Sequence, residues 1–185
     1  MFASNDNQPP QPCHFSTDNL IGQLAKLEHD ISDDPNNLEL QRELAGIYLT
    51  LGRWNLAFDK CNKILHLDPS SDFAYATRGQ ARLYLGDYMN ALADFDHSLK
   101  VNPQYAIAFV YRADVEVMMN DWKKAISDYS ASLALDPMSV YSRVQRARCF
   151  CAVWDYQKAE DDYHALELML DSASQKEALW QEIFG

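Results

Sequence analysis

Three arginines each stand sixteen residues ahead of an aspartate: Arg78 and Asp94, Arg112 and Asp128, Arg146 and Asp162. At the equivalent earlier place the chain has Leu44 and Lys60, so the two charges come and go together. A guanidinium and a carboxylate in matched columns can pair across two neighbouring helices, or the guanidinium can anchor a ligand. Pairing explains why both columns change at once, and ligand anchoring stands as the alternative. The other reactive groups are scattered. Cys149 and Cys151 lie two apart on one helical stretch, so their thiols point to different sides, a poor geometry for one metal. Cys13 and His14 are adjacent near the start, and His29, His66, His97 and His164 fall one per element, as surface residues do. Asp161 and Asp162 read as helix surface plus one half of an ion pair, not as an acid–base dyad. No phosphate-binding glycine loop, His-Glu-x-x-His or Gly-x-Ser-x-Gly occurs. The chain is therefore expected to be no enzyme and to hold no metal and no cofactor.

The elements that carry these charges recur. Pro35, Pro69, Pro103 and Pro137 fall 34 residues apart. Aligned on them, small residues repeat (Ala45, Gly79, Ala113, Ala147) and so do alanines (Ala57, Ala91, Ala125, Ala159). Aromatics open a second helix (Trp54, Tyr88, Trp122, Tyr156), and Cys61, Phe95, Tyr129 and Tyr163 share a deeper column. Small side chains let helix backbones approach. Each proline fixes its own φ and turns the preceding residue away from the α region. So Asp68, Asn102 and Asp136 should end one helix, and Ser71 and Ser139 should cap the next. Asp87, Asp121 and Asp155 recur in the turn inside each copy and are expected as helix caps.

The period and its columns resemble the tetratricopeptide repeat, a helix-turn-helix unit of 34 residues. The resemblance covers about 38–171. It implies an all-α fold, a right-handed α-solenoid of stacked helix-turn-helix repeats with capping helices at both ends. The expected organisation is a disordered leader over 1–15, an N-terminal capping helix over 16–34, and four repeats within 35–171 (38–69, 72–103, 106–137 and 140–171). A C-terminal capping helix follows over 172–185. Ser16 would cap the first helix, with Phe15 stapled to Leu20. Leu179, Trp180 and Ile183 would cover the last repeat.

Composition narrows the partner. Net charge is −11 over 185 residues. That balance opposes a nucleic-acid backbone or an anionic membrane surface and mildly favours a basic or neutral partner. No apolar run is long enough to span a bilayer, and the first fifteen residues lack the pattern of a signal peptide. Four cysteines without disulfide-like spacing, and no glycosylation sequon, point to a reducing, cytoplasmic site.

The resemblance implies a concave groove, lined by the first helix of each repeat, that takes a peptide or a helix of a partner protein. Helical spacing places Arg42 there from the first repeat. The second offers Phe73, Thr77, Gln80 and Tyr84. The third offers Ile107, Val110, Tyr111, Asp114 and Met118, and the fourth Tyr141, Val144, Gln145 and Arg148. Some tetratricopeptide domains grip the carboxylate tail of heat-shock chaperones with a Lys–Asn–Asn–Lys–Arg clamp. In one register the matching positions here are Arg42, Gly46, Thr77, Ile107 and Tyr111. In the other they are Ala76, Gln80, Tyr111, Tyr141 and Gln145. Neither is a cationic cluster. The lining is apolar and aromatic, which suits an apolar or amphipathic segment. The expectation is a protein-interaction adaptor, monomeric or weakly dimeric. A dedicated chaperone or escort of a client, or a self-assembling scaffold, is the alternative.

Overall fold

The structure, a computed structural model, describes residues 17–170 and 172–185. The expected leader over 1–15, the Ser16 cap, the Phe15 staple and the Cys13–His14 pair lie outside them. Ten helices occur among the described residues: α1 Thr17–Asp33, α2 Leu38–Thr50, α3 Trp54–Leu67, α4 Asp72–Tyr84, α5 Tyr88–Val101, α6 Ala106–Met118, α7 Trp122–Leu135, α8 Val140–Ala152, α9 Tyr156–Glu167 and α10 Ala173–Phe184. The fold is all-α, built from helix-turn-helix hairpins.

Two compact units make up the chain, one ending at Tyr105 and the other beginning at Ala106. In the N-terminal unit α1 packs on α2, α2 on α3, α3 on α4, α4 on α5, and α2 also touches α4. In the C-terminal unit α6 pairs with α7, α7 with α8 and α8 with α9, while α10 lies on α8 and α9. Each helix thus meets chiefly its chain neighbours, as repeat architectures require.

Local chemistry sets the helix ends. The side chains of Asn37, Ser71 and Ser139 accept the backbone N–H of Leu40, Ala74 and Ser142, each closing an N-terminus. Asp68, Asn102 and Asp136 stand at the C-caps, just ahead of the prolines. The turn inside each hairpin reverses the chain through one left-handed residue: Gly52 at φ 69°, Gly86 at 80°, Asn120 at 60° and Trp154 at 66°. The following N–H then reaches back to the helix, Arg53 to Tyr48 O at 2.8 Å, Asp87 to Arg82 O at 2.9 Å, Asp121 to Glu116 O at 2.8 Å and Asp155 to Phe150 O at 2.9 Å. This satisfies carbonyls that a helix end would otherwise leave unpaired. Glycine and asparagine suit that backbone; a tryptophan there is unusual.

Each aspartate beginning a second helix occupies the N-cap position, but the capping bond expected of Asp87, Asp121 and Asp155 is absent. Their carboxylates turn instead to the side chain three residues on, Asn90 at 2.9 Å, Lys124 at 2.6 Å and Lys158 at 2.5 Å. The carboxyls of Asp121 and Asp155 are held below the ordinary value chiefly by that ammonium, with the backbone N–H of the same lysine the smallest contributor.

The small-residue columns are buried, with Ala45, Ala57, Ala91, Ala113, Ala125, Ala147 and Ala159 all at 0% exposure. At Gly79 a Cβ would lie 2.9 Å from the Phe95 ring, which is why the helix carries glycine there. Cys61, Phe95 and Tyr129 fill the deeper column and are buried, whereas Tyr163 is half-buried against Phe184. In α10, Leu179 and Ile183 join the core beside Val144, Ala147 and Leu166. Trp180 departs from expectation. It is 46% exposed and leans on Phe184, because it stands at the edge of the α10 face that buries Leu179 and Ile183.

Candidate functional site

The sixteen-residue charge pairs exist as forked ion pairs between the two helices of a hairpin. Arg78 donates to Asp94 through Nε at 3.0 Å and Nη2 at 2.7 Å. Arg112 reaches Asp128 at 2.6 and 2.8 Å, and Arg146 reaches Asp162 at 2.9 and 2.6 Å. A second arginine joins two of them, Arg82 to Asp94 at 2.6 Å and Arg143 to Asp162 at 3.8 Å. The fork of each guanidinium is committed to an aspartate, so pairing rather than ligand capture is the role the geometry gives these arginines.

The residues expected in the groove stand on α2 and α4 in the N-terminal unit and on α6 and α8 in the C-terminal unit. In the first of these, Arg42 lays its guanidinium over the Phe73 ring, 4.7 Å from its centre. Tyr84 stacks on Trp54 with ring centres 4.1 Å apart. Gln80, also on α4, is half-buried, and Thr77 is buried. Phe73 and Tyr84 are thus already engaged on one face, and Thr77 presents no surface.

In the C-terminal unit, Ile107 is 51% exposed, and Val110, Tyr111 and Met118 are half-buried on the same stretch of α6. Val110 and Tyr141 pack against the buried cluster of Ala113, Ala125, Tyr129 and Cys149. From α8, Gln145 is half-buried and accepts from the exposed Arg148 at 3.4 Å, while Val144 is buried. Val144 therefore belongs to the core and not to an open lining.

Asp114 is the residue whose setting the sequence did not reveal. It is 5% exposed. One carboxylate oxygen accepts the Tyr129 hydroxyl from α7 at 2.5 Å and the Tyr141 hydroxyl from α8 at 3.0 Å. The other oxygen is buried and makes no hydrogen bond among the described residues. Burial pushes the carboxyl up to about 7, against the opposing pull of the two phenols. The Tyr129 hydroxyl is raised too, by burial first and by the neighbouring carboxylate second. Glu116, two residues on, is also pushed up to about 7, by burial and by Asp128. A signal was present: Asp114 falls in the column of Gly46, Gln80 and Arg148, and Tyr129 brings a hydroxyl where Cys61 and Phe95 have none. Nothing local says that the two meet. Among the described residues, no three His, Cys, Asp or Glu side chains converge as metal ligands would.

Residues 77–140 match the family model described as tetratricopeptide repeat. Over that stretch the chain matches tetratricopeptide repeats. Solved structures carry the same fold over 63–91% of the chain. The tetratricopeptide protein TTC0263 of Thermus thermophilus is 19% identical, covers 91% of this chain and 92% of its own, and has a TM-score of 0.75. MamA is 23% identical over 82% of this chain and 90% of its own, with a TM-score of 0.71. The first tetratricopeptide domain of Spaghetti (RPAP3), solved with an HSP90 peptide, is 21% identical, covers 63% of this chain and 94% of its own, and has a TM-score of 0.61. No curated protein sequence matches the chain. At these identities the likeness establishes the fold, and the ligand has to be argued from the side chains of this chain's own helices.

Proposed function

We propose that the protein is a non-catalytic interaction adaptor. It binds an apolar or amphipathic segment of a partner protein along the first-helix face of its repeats in the C-terminal unit. The α6 face carries the argument: Ile107 at 51% exposure, with Val110, Tyr111 and Met118 only partly covered at helical spacing. Apolar and aromatic side chains gathered on one face are the usual mark of a contact surface. The Spaghetti domain's HSP90 peptide supports peptide binding as a use of this fold. A different ligand chemistry is proposed here, because the chaperone-tail clamp positions hold no cationic cluster. The balance of −11 disfavours a nucleic-acid partner. Among the described residues no helix is long and apolar enough to cross a membrane. The free thiols of Cys61, Cys149 and Cys151 support a reducing, cytoplasmic setting.

The test is affinity capture with the full chain, followed by mass spectrometry, beside the variants Ile107→Asp and Tyr111→Ala. Partners held by the wild-type chain should be lost from both variants while circular dichroism stays helical. Retention of the same partners by Ile107→Asp would overturn the proposal.

A further inference from the structure

Four aspartates are buried among the described residues: Asp94, Asp114, Asp128 and Asp162. Three of them hold a guanidinium in a forked ion pair. Asp114 does not; it meets two phenols, and its second oxygen is left without a hydrogen bond. Burying a carboxylate without a cation is costly, and chains rarely retain such a group without a use for it.

Its place in the fold indicates that use. Asp114 lies in the column that the repeat pattern assigns to the ligand face, with Val110 one turn before it, Met118 one turn after it and Tyr111 beside it on α6. Tyr129 is at 1% exposure and fixed in the core. Tyr141 is half-buried and bonds the carboxylate at the longer distance, 3.0 Å against 2.5 Å, so it is the outer of the two partners.

We infer that Asp114 is the counter-charge for a lysine or arginine side chain of the bound segment, which displaces the Tyr141 hydroxyl and takes up the unpaired carboxylate oxygen. This rests on the reading of the α6 face as a binding surface and deepens it. The preferred guest is an apolar segment carrying one cation. The apolar stem of the lysine or arginine lies against Val110 and Met118, and its head reaches Asp114. A neutral guest would leave that oxygen without a partner, which is the basis of the selectivity. An overall charge of −11 would draw such a segment in but would not place its cation.

A randomised peptide-display library selected on the full chain tests this. The enriched peptides should share one Lys or Arg among apolar residues. Replacing that residue by norleucine in a selected peptide should weaken binding to the wild-type chain about tenfold. The same replacement should make little difference to Asp114→Asn, which keeps the side-chain shape. Tyr141→Phe removes the competing hydroxyl and should bind the lysine peptide at least as tightly as wild type, with the norleucine penalty intact. A penalty that persists unchanged in Asp114→Asn would trace the preference to bulk charge and overturn the inference. Enriched peptides with no basic residue in common would overturn it too, while leaving the groove reading in place. Peptides that bind Ile107→Asp as well as wild type would remove the groove reading itself. Should Asp114→Asn melt early, Tyr141→Phe decides: loss of the norleucine penalty there refutes the role of the carboxylate.

Discussion

Removing Arg112 should hurt the protein more than removing Arg112 and Asp128 together. The two side chains form a forked pair at 2.6 and 2.8 Å, with side-chain exposures of 22% and 9%. Arg112→Met takes away both hydrogen bonds and leaves Asp128 as an uncompensated charge in the hairpin. Breaking a buried pair from one side costs about 3–5 kcal/mol, and the partial exposure of Arg112 places this case near 3 kcal/mol. Asp128 also lies close enough to Glu116 to push that carboxyl up, while Arg112 pulls it down, so losing the guanidinium worsens two carboxylates at once. Arg112→Met with Asp128→Leu removes the stranded charge and fills its space with apolar atoms. Such replacements run from mildly costly to stabilising, so the double variant should lose no more than about 1 kcal/mol. The measurement is urea unfolding followed by circular dichroism, with midpoints compared at constant slope. The coupling read from wild type, both single variants and the double variant should be at least about 2 kcal/mol, and larger by whatever Asp128→Leu costs alone. Equal losses in Arg112→Met and the double variant, or losses that simply add, would refute the reasoning.

Three further outcomes follow from particular contacts. Gly79→Ala drives a methyl to 2.9 Å from the Phe95 ring and should lower the unfolding free energy by about 1–3 kcal/mol in the same assay, with wild-type stability counting against that contact. Trp154→Asn replaces a 79% exposed indole at φ 66° by the residue found in the equivalent turn at Asn120, and should raise stability by about 0.5–1 kcal/mol; a loss would mean the ring contributes more than its edge contact with Tyr156 indicates. Asp114 is faced by Tyr129 from α7 and by Tyr141 and Cys149 from α8, and its folded carboxyl near 7 lies above the ordinary value of 3.8. The native chain therefore holds a proton that the unfolded chain releases, so this contribution is fully present at low pH and is lost as pH rises through about 7, a change on the order of a few kcal/mol. Thermal melts between pH 5 and pH 8 should show a slope that Asp114→Asn reduces, and an unchanged slope would place the titration elsewhere.

The parts of the fold legible in the chain are those that obey local rules. The 34-residue proline spacing marks hairpin ends because proline acts on its own φ and on its immediate neighbour. Ser71 and Ser139 could be named as caps because a cap needs only the next three residues. The Arg–Asp pairs were legible for another reason: several copies of one unit lie in a single sequence, and a charge missing in both columns of one copy betrays a contact. Less local outcomes stayed hidden. Sequence placed Asp121 and Asp155 at the N-caps but could not choose between a backbone donor and the lysine three residues away. Trp180 looked like core by its apolar character, and its small rotation from Leu179 and Ile183 on α10 left it 46% exposed.

The candidate site divides the same way. The chain's own local patterns were enough for the helical hairpins and their order, because backbone preference and periodicity are properties of neighbours along the chain. Only tertiary structure decided that Thr77 and Val144 are buried, that Arg42 caps Phe73, and that Tyr84 stacks on Trp54. It also brought Asp114, Tyr129 and Tyr141 together from three helices. Burial and the electrostatics of a carboxyl depend on what surrounds it in space, and residues fifteen and twenty-seven positions away become its surroundings only once the helices have packed.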